Sequence, residues 1–354
     1  MKLFTVGPVE MFPEMAEITS KQLPYFRTEE FSALMLENEV LFKESIWAPA
    51  DAKTIFLTAS GTAAMEAAVI NCFDKDDRLL VINGGGFGKR FAQICQIHQI
   101  PHDILTLAFG EVLTREKLDT YSMAGYTGLL VNLHETTTGQ LYDIHMLAEF
   151  CEANDMYFVA DGISTYGADA IHFQKDKIDV LIVSSQKALA LAPGLSIVVV
   201  SDRIYRHKIL KTDSGCMYLD FKMHMQDMKR GQTPFTPAVE ILLALNWRLK
   251  QIRSMGMEKL IKRTAVLADS FRKGAKEVGF KVPDYPLSNA LTPLILEPDA
   301  RMFYERLKEE YGLVVTPSGG ELENKLIRVG HLGNLCEEDY DRLLEAMKLV
   351  RESL

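Results

Sequence analysis

The chain has 354 residues, 47% of them hydrophobic and 25% charged, which supplies ample material for a core and exceeds the usual length of one compact domain. A formal net charge of −9 argues against nucleic acid or an anionic membrane as partner, yet leaves room for a local positive pocket that takes a small anion. Five scattered cysteines (Cys72, Cys95, Cys151, Cys216, Cys336) without a CxxC pair speak against the common zinc signatures; with no signal-like start and no membrane-length apolar run, they make a cytoplasmic protein the expectation.

Residues 1–27 carry Gly7-Pro8, Pro13 and Pro24 without a clear period and read as an irregular arm. From Thr28, a good N-cap before Glu29-Glu30, a helix is expected to about Trp47, with Phe31, Leu34, Met35, Val40 and Leu41 available for its apolar stripe. An alternation then begins. Strand-like Thr54 to Thr58 leads into a helix from Ala63 to Ile70, Leu79 to Asn83 into a helix ending near His98, and His102 to Leu107 into a helix near Thr114 to Tyr121. Gly128 to Leu133 is the next strand, followed by a helix from Ile144 to Asn154 and a strand from Met156 that ends at Asp161. Ile178 to Val183 and Leu195 to Val200 are β-branched runs of the kind covered on both faces.

This spacing predicts an α/β fold: a large domain, residues 1–250, with a mostly parallel seven-stranded sheet between helices. Beyond Pro237 long helices are expected, Ala238 to Met255 and Met257 to Val278, then strands near Ala290 to Leu296, Leu313 to Thr316 and Leu326 to Val329. A helix near Pro298 to Tyr311 and a last one from Glu337 to about Glu352 complete a small α+β domain, residues 251–354.

In a parallel sheet, reactive loops gather at the carboxyl ends of the strands. Ala59-Ser60-Gly61-Thr62 offers hydroxyls, free amides and a helix dipole suited to a phosphate, or simply an N-cap at Ser60. In Gly84-Gly85-Gly86-Phe87-Gly88 one aromatic stands among glycines, free to stack on a flat ring or to join the core. Asn132-Leu133-His134-Glu135-Thr136-Thr137-Thr138-Gly139 brings hydroxyls to a strand tip, or is only a polar loop. Asp161 is a carboxylate at the end of an apolar strand, needing a cation or several donors unless it caps a helix. Ser184-Ser185-Gln186-Lys187-Ala188-Leu189 presents a lysine between two buried runs, where a desolvated amine loses its proton readily and attacks carbonyls. A surface lysine is the plain alternative. The order of these segments is that of the parts pyridoxal phosphate needs: phosphate donors, a stacking ring, an acid for the pyridine nitrogen and a Schiff-base lysine.

The chain resembles class V aminotransferases of the fold-type I pyridoxal-phosphate enzymes, and is most like the alanine–glyoxylate, serine–pyruvate and 2-aminoethylphosphonate transaminase group. The likeness runs from Gly7-Pro8 to Arg328-Val329-Gly330-His331-Leu332-Gly333, and is most specific at Ser185-Gln186-Lys187-Ala188-Leu189 and Glu135-Thr136-Thr137-Thr138-Gly139. It implies Lys187 as the Schiff-base lysine and proton shuttle, Asp161 on the ring nitrogen, and Phe87 and Ile163 on the two ring faces. Ser60, Gly61, Thr62 and Gln186 would hold the phosphate, and Thr136 the ring hydroxyl or phosphate. Arg328 would grip the substrate carboxylate, with the stretch from Gly7 to Met11 lining the pocket, Glu10 among it. The resemblance further implies a homodimer with shared active sites, in which Thr233 or Thr236 reaches the neighbouring subunit's phosphate. The function it implies is transfer of an amino group from a small donor such as alanine or serine to a 2-oxo acid such as glyoxylate or pyruvate. A 2-aminoethylphosphonate donor, a cysteine desulfurase using Cys336, and a cofactor-binding regulator without activity are the alternatives.

Overall fold

The computed structural model describes residues 1–296 and 299–353. Its labelled elements, in chain order, begin with α1 (Glu29–Ser45), β1 (Lys53–Leu57), α2 (Gly61–Cys72), β2 (Leu79–Asn83), α3 (Gly86–Ile97) and β3 (His102–Thr106). Then follow β4 (Gly128–Asn132), α4 (Ile144–Ala153), β5 (Tyr157–Asp161), β6 (Val180–Ser184) and β7 (Ser196–Val200). The C-terminal part holds α5 (Val239–Met255), α6 (Met257–Glu277), β8 (Leu291–Ile295), α7 (Ala300–Tyr311), β9 (Thr316–Pro317), β10 (Leu326–Gly330) and α8 (Glu337–Glu352).

The seven strands form one sheet in the order β1-β7-β6-β5-β4-β2-β3, parallel throughout except for β7, which runs antiparallel to both β1 and β6. Every residue of β4, β6 and β7 is buried, as their unbroken apolar runs require when helices cover both faces. Each such Val, Leu or Ile contributes about 1.5–3 kcal/mol on leaving water. Thr28 starts α1 by accepting the Phe31 N–H at 3.2 Å, and the helix then buries Phe31, Met35, Leu41 and Phe42 alongside α5. The expected division after residue 250 falls inside α5.

The arm and the expected strand from Leu313 to Thr316 differ from their sequence readings. Lys2–Leu3 pairs in parallel with Leu313–Val314, and Glu14–Thr19 forms a short helix. Thr316–Pro317 instead joins β10, so the single expected strand is two short ones in two sheets. Pairings of two residues, made across almost the whole chain, leave no local period to read. The helix expected from Pro298 starts at Ala300 among the described residues; Pro298 itself lies outside them.

A buried polar network joins the loop after β5 to the C-terminal sheet. Asp169 accepts from the Ser288 hydroxyl, from the Asn289 N–H at 3.1 Å and from its side-chain amide at 3.0 Å. Arg272 of α6 donates to the Ser288 carbonyl at 2.5 Å and to the Thr292 hydroxyl at 3.1 Å. Thr292 meets His331 at 2.8 Å, and His331 meets Tyr340 at 3.1 Å. Replacing Asp169 by Ala strands these donors; we expect Asp169→Ala to lose about 3 kcal/mol in denaturant unfolding. An unchanged unfolding midpoint would show that the network does not carry the junction.

Candidate active site

β6 ends at Ser184, and a tight loop to β7 follows. Ser185 closes it: its N–H donates to the Leu195 carbonyl at 2.9 Å, and its hydroxyl donates to the Ala192 carbonyl at 2.6 Å. The loop holds Lys187 inward, 7% exposed, with Nζ donating to the Val6 carbonyl at 2.5 Å. The arm lies directly on the lysine: a Cβ at Gly7, whose φ is +141°, would come within 2.8 Å of Lys187 Cδ and Cε. Only glycine permits that approach. Burial, aided by the Arg328 charge and opposed by Asp161, lowers the Lys187 amine to about 8.

Asp161 closes β5, opposite Asn132 on one side and Ile182 on the other. Its Oδ1 accepts the Ile163 N–H at 2.8 Å. Burial raises its carboxyl to about 7, against the pull of that hydrogen bond and of the Lys187 charge. Ile163 leans on the start of α2, where a Cβ at Gly61 would stand 2.5 Å from its Cδ1. Ser60 is exposed and makes no capping bond with its side chain, so its hydroxyl and the first amides of α2 stay open to a ligand. The Thr62 hydroxyl accepts from Arg90 at 2.9 Å, and the same guanidinium lies 4.8 Å from the centre of the half-buried Phe87 ring.

The loops are tied together by Glu135. It is fully buried, and its carboxylate accepts from the N–H groups of Phe87 and Gly88 (both 3.2 Å), from the Asn132 amide at 3.1 Å and from the Thr137 N–H at 3.0 Å. Arg328 reaches the same segment from β10, donating to the Thr136 carbonyl at 2.8 Å and to the Pro317 carbonyl at 2.7 Å. Its Nε is buried without a partner among the described residues, and burial lowers the guanidinium to about 10. Thr136 is buried, and Gln186, half-buried, accepts the Val9 N–H on its carbonyl. Glu10 accepts the Leu3 N–H at 3.0 Å and lines a cleft of about 550 Å³ with Val9, Phe12 and Ala192 beside the arm.

Lys187, Asp161, Gly7 and Arg328 are thus drawn into one neighbourhood, with Gly61 and Ile163 packed at its side. Thr233 and Thr236 are not hydrogen-bonded to it among the described residues. The Thr233 hydroxyl donates to the Phe235 carbonyl at 2.7 Å, whereas Thr236 is exposed. Sequence reasoning missed Arg90, which lies three residues after Phe87 on α3 and so shares its face; that spacing was the available signal. It also gave Glu135 no role beyond its motif and His134 none. Chemically, the arrangement offers a poised amine, a protonatable acid, an open helix start and an aromatic ring, a set that suits a flat, phosphorylated carbonyl compound. Among the described residues no cluster of His, Cys, Asp or Glu could hold a metal ion, and no helix is long and apolar enough to cross a membrane.

Comparison with known proteins identifies the family of the chain. A profile of the class V aminotransferases matches residues 21–282. The chain is 29% identical to an uncharacterized aminotransferase of Methanocaldococcus jannaschii, over 99% of this chain and 93% of that protein. It is 27% identical to the 2-aminoethylphosphonate–pyruvate transaminase of Phocaeicola vulgatus, over 84% of each. Among solved structures, the alanine–glyoxylate aminotransferase of Nostoc sp. superposes with a TM-score of 0.92 at 25% identity, covering 99% of this chain and 94% of that one. The chain belongs to the class V aminotransferase family and is a transaminase.

Proposed function

We propose that the transaminase depends on pyridoxal phosphate and moves an amino group from a small donor such as alanine or serine to a 2-oxo acid such as glyoxylate or pyruvate. The observation that carries this reading is the burial of Lys187 with Asp161 and Arg328 around it, each shifted toward neutrality. The residues present fit the cofactor: Ser60 leaves its hydroxyl and the helix start uncommitted, and Asp161 is a buried acid that no cation hydrogen-bonds among the described residues. When bound, pyridoxal phosphate supplies a carbonyl carbon and an electron-withdrawing ring that takes the amino group from the donor and returns it to the acceptor.

The chain's own groups then have separate tasks. Ser60, Gly61, Thr62 and Gln186 would hold the phosphate, Phe87 and Ile163 the two faces of the ring, and Thr136 the ring hydroxyl. Asp161 would keep a proton on the ring nitrogen. The amine of Lys187 would anchor the cofactor through its carbonyl carbon and, once released, carry the proton to and from the substrate α-carbon. Arg328, already held in place by two backbone carbonyls, would pair with the substrate carboxylate. Arg328 serves a phosphonate equally well, and the likeness to a 2-aminoethylphosphonate transaminase favours that donor as the second reading. Cys336 is exposed, and its thiol is pushed up by hydrogen bonding to Glu338, the opposite of what a desulfurase nucleophile requires.

A homodimer is part of this proposal. Met217, Tyr218 and Met223 are exposed, and Tyr218 stacks on Phe235 at 5.1 Å in the segment that carries the exposed Thr236. That face suits a neighbouring copy, with Thr236 rather than Thr233 free to cross. A cytoplasmic setting accords with five unpaired cysteines.

Lys187→Ala should give a folded protein that still binds the cofactor without anchoring it, with turnover down by about 10³-fold or more. Near wild-type activity in that variant would sink the assignment. In cofactor-free protein, the rate at which Lys187 captures added pyridoxal phosphate should follow the neutral amine and rise through about pH 8, not through the ordinary lysine value of 10.5. Asp161→Asn removes the charge that opposes this shift, so the midpoint should move lower still. Donor choice is tested by adding one amine at a time to the holoenzyme. Loss of the cofactor's visible band with alanine or serine supports the carboxylate reading, and loss only with 2-aminoethylphosphonate overturns it.

A further inference from the structure

One group beside the lysine and the arginine is left without a task. His134 is 2% exposed, and neither Nδ1 nor Nε2 has a hydrogen-bond partner among the described residues. The native fold seldom buries two such atoms unless something else meets them. Its backbone is firmly placed: His134 pairs with Leu141, and its carbonyl accepts the Asn132 amide at 3.3 Å. Successive side chains of an extended segment point to opposite faces. The Glu135 carboxylate goes to the start of α3, so the His134 ring faces the other way. Two residues on, Arg328 grips the Thr136 carbonyl.

The charges that act on the ring are Lys187, Arg328 and Arg272, all cationic; burial and these charges push it down to about 3. The imidazole is therefore neutral throughout the working range, with one donor and one acceptor. Arg272 is committed to Ser288, Leu291 and Thr292. Lys187 bonds a single acceptor, the Val6 carbonyl, and Arg328 keeps its buried Nε unpartnered among the described residues. The group that would meet these donors and a neutral imidazole N–H together is an anionic oxygen.

We propose that His134 is a specificity-determining residue for the amino donor and the oxo acceptor, its imidazole donating a hydrogen bond to the carboxylate that Arg328 holds. The inference rests on the transaminase reading of Lys187 and Arg328. It predicts preference for compact carboxylate substrates, because an imidazole bonded to that carboxylate would leave less room beside Arg328.

The test uses the holoenzyme and acetate as a minimal carboxylate, with binding read from the cofactor's visible absorbance and with KM and kcat for an active donor. His134→Phe and His134→Leu remove both nitrogens while retaining bulk, and His134→Asn keeps a donor and an acceptor. Either apolar variant that folds should bind acetate about tenfold or more weakly, with KM rising more than kcat falls and the band without acetate unchanged. His134→Asn should recover most of that affinity. Apolar variants that bind acetate as wild type does, whatever their melting temperature, overturn the inference. If acetate binding is lost in Arg328→Ala but kept in those variants, this inference alone falls. If Arg328→Ala also binds acetate normally, the carboxylate clamp and the His134 role fall together.

Discussion

A lysine amine leaves water only where its surroundings offset the loss of hydration, and the fold around Lys187 is arranged by that requirement. The apolar strands β5, β6 and β7 form a floor of low polarity beneath it. Across that floor, at the end of the adjacent strand, stands the opposite charge of Asp161. Their interaction does not take the form of a direct ion pair: Nζ donates to the Val6 carbonyl, and Asp161 accepts from the Ile163 N–H. Burial penalises the charged form of each, lowering one and raising the other, so both stand near neutral pH. A tight salt bridge in the same place would have held the amine protonated and the carboxyl ionised. Apolar strands and a shared deficit of solvation keep them available.

The second organiser is a carboxylate that does no chemistry. Glu135 gathers donors from the glycine loop before α3, from the end of β4 and from its own threonine turn. Hydrogen bonds to a charged acceptor are worth roughly twice their neutral counterparts, so this one side chain orients Phe87 and the Thr136 segment together. Arg328 then completes the arrangement from the other end of the chain by holding the Thr136 carbonyl. Phe87, the threonine loop and Arg328 are thereby fixed relative to one another.

The sheet was legible because its strands are continuous β-branched runs, punctuated by glycine and proline, and Leu79 to Asn83 matched residue for residue. Lys187 and Asp161 could be singled out because a charge at the end of such a run is chemically conspicuous. Arg328 depended on resemblance, since nothing in its local sequence distinguishes it from a charged strand end. The residues that escaped notice act through long-range contact: Arg90 folds back onto Thr62, Asp169 meets Ser288, and Lys2–Leu3 finds Leu313–Val314. Local pattern carries the period of an element but not the identity of its distant partner, so pairings of this kind are invisible until the chain is folded.

The placement of the arm has a bearing on how the protein is made. The segment that covers Lys187 precedes the sheet in the chain, yet its own partners follow the sheet: Leu313 and Val314 for the pairing of Lys2–Leu3, and then Gly330, whose N–H donates to the Phe4 carbonyl. On a ribosome the sheet bearing the lysine emerges long before those residues do. The nascent protein therefore passes through a stage in which the Lys187 amine is not yet covered by the arm. Closure of the arm over the lysine waits for residues 313–330.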